Sequence, residues 1–132
     1  MITEIISGIY IGNIYDLLDE NVYKKYEIDI VINMTNNIQF LEINIAKLRY
    51  PIYNFNDFYT KYTNLLIFIY KYFIHTNILI CSDEQYAILL VSLFLIKYGK
   101  IPSYEVKALL KNIDDTLTLD YDLSIFEKNK RT

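Results

Sequence analysis

An α/β layered domain, with a central and largely parallel sheet flanked by helices, is the fold class this chain predicts. Three observations predict it. Short β-branched apolar runs, as in Ile30-Val31-Ile32 and Ile78-Leu79-Ile80, read as strands buried on both faces. Longer segments with apolar residues at helical spacing alternate with them. The length of 132 residues suits a single domain over residues 1–132, and no repeat, low-complexity segment or linker divides it.

The elements follow in order. Ile5 to Asn13 reads as two short strands around the Ser7-Gly8 turn. Asn13 caps a helix through Ile14 to Leu18, with Asp16 well placed near its positive end. A second helical turn covers Glu20 to Tyr26. Asp29 to Thr35 is a buried strand broken by Asn36-Asn37. Lys47 to Ile52 suggests another, which Pro51 places at an edge or an end. Thr60 to Phe73 carries Leu65, Leu66, Ile69, Tyr72 and Phe73 at helical spacing, and the strand Ile78 to Ile80 follows. Gln85 to Tyr98 is apolar nearly all round, as in a central buried helix, and Gly99 ends it. Pro102 opens a helix running to about Asn112, and Tyr121 to Lys128 forms a last short one.

Composition narrows the function. The net charge of −3 argues against a nucleic-acid binder held by backbone charge, and the only basic cluster is Lys128, Lys130 and Arg131 at the tail. The apolar stretches fall far short of the ~20 residues that span a bilayer. No signal peptide is expected, because Met1 to Glu4 lacks a basic segment and a long apolar run. A lone cysteine excludes an intramolecular disulfide framework and suits a reducing, cytoplasmic compartment. One histidine alone makes no metal site, so His75 reads as a helix-end residue, and no metal or cofactor is expected. The 14 tyrosines, with many Ile, Asn and Lys and few Gly, Pro and Ala, fit an AT-rich coding sequence.

The chemistry concentrates at Ile80-Cys81-Ser82-Asp83-Glu84-Gln85-Tyr86-Ala87, where a strand ends on a cysteine and turns directly into a helix. Ligands in open α/β sheets sit beyond the carboxyl ends of central strands, so the geometry favours an anion site there.

On these residues the chain resembles the small dual-specificity phosphatases, a cysteine-dependent family that includes members carried by poxvirus-like DNA viruses. Ile5 to Asn13 resembles the family's opening I-x-x-G-L-Y-L-G; Ile30 to Thr35 is similar to V-L-N-L-T, Tyr50-Pro51-Ile52 to I-P-V, and Leu123 to Glu127 to L-x-x-F-E. The resemblance implies the family's sheet, a viral source, and a place in the host cytoplasm or the virion. It also implies a chemistry with three parts. A loop thiolate attacks phosphorus. An arginine at the loop's far end grips the phosphoryl oxygens. An aspartate on another loop protonates the leaving oxygen.

Matched to that pattern, Cys81 is the nucleophile position, Ala87 stands for the arginine, Ile80 for the histidine before the cysteine, and Asn54 for the acid. Ile88 replaces the hydroxyl residue after the arginine, and Glu84 a loop glycine. General acid catalysis is typically worth ~10²–10⁴-fold and one pre-organised electrostatic contact ~10²–10³-fold. Asp83 and Glu84 would each repel a phosphate by about 3 kcal/mol at roughly 5 Å and an effective dielectric of ~20. The resemblance therefore implies a pseudophosphatase: Cys81 is vestigial and Ser82, Asp83, Glu84, Gln85, Tyr86 and Ala87 form a degenerate loop. Asp83 and Glu84 favour the following helix's N-terminus or form an acidic lip for a peptide.

The expected function is a catalytically inactive module that binds a protein partner, a phosphoprotein among the candidates, with no nucleic acid and no membrane. Tyr53, Phe55, Phe58 and Tyr59, with Asp83 and Glu84, are the candidate partner surface, because aromatic residues are favoured at interfaces. Two other readings stay open. One is an atypical cysteine-dependent phosphatase using Cys81, with Asp57 as a substitute acid. The other is a structural homo-oligomer packing a tyrosine-rich face.

Overall fold

The computed structural model describes residues 2–131, with side chains up to Glu127; the basic tail cluster lies outside the described side chains. The order is β1 (Thr3–Ile6), β2 (Ile9–Gly12), α1 (Ile14–Leu17), α2 (Glu20–Lys25), β3 (Ile30–Asn33), β4 (Ala46–Arg49), α3 (Phe55–Tyr72), β5 (Ile78–Cys81), α4 (Tyr86–Lys97), α5 (Ser103–Ile113) and a closing 3₁₀ helix (Leu123–Arg131). The sheet runs β1-β2-β5-β3-β4. β1 pairs with β2 antiparallel, and the three remaining pairings are parallel.

The local chemistry explains the start. Gly8 turns the β1–β2 hairpin at φ +84°, a conformation open to glycine without strain. Asn13 then caps α1: its side chain accepts from the Tyr15 and Asp16 N–H groups, and Asp16 reaches back to the Asn13 N–H. That reciprocal pair satisfies amides the helix cannot. Gly12 makes room for it, since a Cβ there would meet the Asp16 side chain at 2.9 Å.

Two apolar layers sandwich the sheet. Ile78 and Ile80 of β5 face α3, α4 and α5 in the larger cluster, while Leu79 and Cys81 face α1 and α2. Alternation along a strand puts successive side chains on opposite faces, and both faces are covered. Helix α4 is buried from Tyr86 to Ile96, as its nearly uniform apolar sequence requires.

Three expectations are corrected. Helix α3 starts at Phe55 and not at Thr60, because Asn54 caps it: the Asn54 side chain accepts from the Asp57 N–H and Asp57 accepts from the Tyr53 N–H. The expected strand Lys47 to Ile52 is the shorter edge strand β4, with Pro51 just beyond it. The closing segment is a 3₁₀ helix that starts at Leu123.

Candidate functional site

The loop between β5 and α4 lies at the carboxyl end of the sheet's middle strand. Register places Gly12, Cys81, Asn33 and Arg49 in one row across β2, β5, β3 and β4. Cys81 is fully buried among Leu17, Val22, Tyr23, Val31 and Leu79, on the α1–α2 side of the sheet. Burial, with the Asp16 carboxylate adding to it, pushes its thiol well above the ordinary range.

The turn after Cys81 closes on itself. The Ser82 hydroxyl accepts the Ala87 N–H at 2.9 Å and donates to the Glu84 carbonyl at 2.8 Å. Asp83 points away from the loop and accepts the Asn36 N–H at 3.0 Å. Gln85 and Asp120 exchange two hydrogen bonds, each 2.8 Å, which tie the loop to the segment before the 3₁₀ helix. Gln85 stands at the N-cap of α4 without a side-chain cap bond. Tyr86, the helix's first residue, is buried beside Tyr121 and Glu84, and that burial raises its phenol above the ordinary range.

Arg49 is the cation the sequence reading missed. Its guanidinium donates to the carbonyls of Ile38 at 2.9 Å and Asn36 at 2.8 Å. The turn at 36–38 is thus held from one side by Arg49 and from the other by Asp83. Asn33 and Thr35, both fully buried, brace the same turn: Asn33 donates to the Ile38 carbonyl and accepts from the Thr35 N–H and hydroxyl. The only signal for Arg49 in the sequence was its place at the end of a strand.

The two candidate acids belong to the start of α3. Asn54 is its N-cap. Asp57 accepts from the Tyr53 N–H at 3.0 Å and pairs with Lys61 at 3.0 Å. The Tyr53 amide first, and Lys61 after it, hold the Asp57 carboxyl below the ordinary range.

The aromatic run divides. Phe58 is wholly buried and stacks on Tyr62 and Tyr86, so it is core and not a partner surface. Phe55 stacks on Tyr121, and Tyr59 packs on Phe126. Tyr53 alone of the four is open, at 60% exposure. His75 sits exposed in the turn after α3.

Two shallow clefts flank the loop. One of about 440 Å³ is lined by Thr3, Asn13, Glu84, Gln85 and Thr116, and one of about 410 Å³ by Glu84, Gln85, Asp120 and Tyr121. Among the described residues no group of His, Cys, Asp and Glu could hold a metal ion, and no helix is long and apolar enough to cross a membrane.

No protein-family model and no curated protein matches the chain. Solved structures do. The human tyrosine phosphatase-like serine/threonine/tyrosine-interacting protein is 15% identical over 99% of this chain and 98% of that one, at a TM-score of 0.78. A leucine rich repeat and phosphatase domain containing protein from Entamoeba histolytica is 19% identical over 97% and 91%, at 0.77. DUSP15 is 20% identical over 84% and 74%, at 0.75. At these identities the likeness is one of fold: the chain has the fold of the dual-specificity phosphatases.

Proposed function

We propose that this phosphatase-fold protein has no phosphatase activity and acts by binding a protein partner. The observation that carries the reading is the closure of the β5–α4 loop. The Ala87 N–H, one of the amides that an anion would need there, is taken by the Ser82 hydroxyl. The residue types point the same way, with Ala87 at the position of the family's arginine and Asn54 at that of its acid.

The remaining groups are poorly suited to substitute. A thiol raised by burial stays protonated at neutral pH, and the thiolate is the nucleophile. Asp57, held below the ordinary carboxylate range, is ionised and has no proton to give. Arg49 is engaged by two backbone carbonyls. Fold does not supply function, so a retained scaffold with this loop suits recognition better than turnover. A protein of the same fold is called phosphatase-like and interacting, which fits such a use. Tyr53, with Glu84 at the lip of both clefts, would meet the partner.

The test is turnover of an aryl phosphate and a phosphotyrosine peptide by the wild type and by Cys81→Ser. Neither should exceed the buffer rate. Turnover in the wild type that disappears in Cys81→Ser would overturn the reading.

A further inference from the structure

Helix α3 presents to solvent a face that lies outside the core. Its inner face, with Phe58, Tyr62, Leu65, Leu66 and Ile69, packs into the core. On the outer side Thr60, Thr63, Ile67 and Tyr70, followed by Ile74 in the turn directly after the helix, are all exposed. Ile67 is 54%, Tyr70 51% and Ile74 72% exposed. Their spacing alternates three and four residues, the interval of the a and d positions in a helix-pairing seam. No charge falls within the seam. Tyr70 is already held in place by stacking on Tyr98, with ring centroids 4.1 Å apart, so little of its freedom would be lost on contact.

We propose that the occupant of this face is a second copy of the chain, packed antiparallel with its α3 against this one. The flanking charges select that partner and that direction. With Thr60, Ile67 and Ile74 as a positions and Thr63 and Tyr70 as d positions, the e positions are Asp57, Asn64 and Lys71. Antiparallel pairing sets Thr60 opposite the second copy's Tyr70 and Thr63 opposite its Ile67. The e row then faces its own copy reversed: Asp57 meets Lys71 at both ends and Asn64 meets Asn64 in the middle. Asp57 already holds Lys61 and the Tyr53 N–H, and a carboxylate has capacity for a further donor. In a parallel pair the same row would face Tyr59, Leu66 and Phe73, which offer no charge. The helix is about 27 Å long, and a strip of that size lies at the small end of specific interfaces, below ~1,200 Å² in total. The dimer is therefore weak and reversible.

Sedimentation equilibrium of the whole chain between about 5 and about 500 µM covers the range of so small an interface. The mass should rise from that of one chain towards twice that value. Ile67→Glu should hold it at one chain while leaving the unfolding midpoint unchanged. Lys71→Glu, which sets two carboxylates together, should weaken association by about tenfold (an interfacial charge pair, screened at the rim). As a measurement that does not depend on those variants folding well, Asn64→Cys should give a disulfide-linked dimer under mild oxidation, since native Cys81 is buried. A single-chain mass throughout, or a dimer that Ile67→Glu leaves intact and Asn64→Cys does not cross-link, overturns the proposal.

Discussion

Ser82 and Ala87 meet across the turn between β5 and α4, where the Ala87 N–H donates to the Ser82 hydroxyl at 2.9 Å. This bond takes one of the donors that an anion at the helix N-terminus would need. It also satisfies a buried amide, so it contributes to stability. Replacing Ser82 with alanine leaves that amide without an acceptor, which typically costs about 1–3 kcal/mol. Urea unfolding of Ser82→Ala should show a loss in that range at an unchanged m-value.

Cys81 should be silent in the folded protein. Its side chain is fully buried and its thiol is raised by that burial. Treated with an alkylating reagent at neutral pH, the native chain should react far more slowly than the denaturant-unfolded chain, whose thiol has an ordinary pKa near 8.5. Mass spectrometry follows the adduct, and equal rates in the two states would refute the burial argument.

Asn54 is placed to cap a helix. Asn54→Ala should destabilise the chain by about 1 kcal/mol, the usual effect of removing an N-cap. Asn54→Asp should keep the stability, because aspartate caps as well as asparagine. It should also gain no phosphatase turnover, although it restores a carboxylate at the position matched to the family's acid. Thermal unfolding and an aryl phosphate assay on the same two variants check both halves.

Asp57 links this corner to pH. Its folded carboxyl is held below the ordinary range by the Tyr53 N–H and then by Lys61, so its folded pKa is lower than its unfolded one. The stability it contributes is thus fully present above the unfolded value and is lost as pH falls through the folded one. The gap in unfolding midpoint between the wild type and Asp57→Ala should be largest at neutral pH and close as pH falls below the ordinary carboxylate range. A gap that widens in acid would reverse the sign and contradict the assignment.

The elements the sequence revealed were those with local signals. Asn13 and Asp16 sit three residues apart as a capping box, Gly8 marks the hairpin, and the uniform apolar run of α4 has no other place than the interior. The start of α3 is ambiguous in the sequence, because Asn54, Phe55 and Phe58 also fit a degenerate acid position and an aromatic rim. The same residues at helical spacing behind an Asn cap are a helix start. The loop's outer ties could not be read at all. Asp83 with Asn36 and Gln85 with Asp120 are joined across 47 and 35 residues, and no local pattern marks a side chain for a partner so far along the chain. Arg49 reached the site through strand register, which pairs it with Asn33 beside Cys81.

The central claim, a phosphatase fold whose anion loop is closed, is tested most directly by thermal unfolding with and without millimolar phosphate, vanadate or phosphotyrosine. A ligand that binds only the folded state at 100-fold over its dissociation constant adds ~2.7 kcal/mol, an upward shift of several degrees. The account expects the same midpoint with all three ligands as in buffer of matched ionic strength. A rise with any of them, abolished by a bulky substitution at Ser82, would show that the loop still takes an anion and would contradict it.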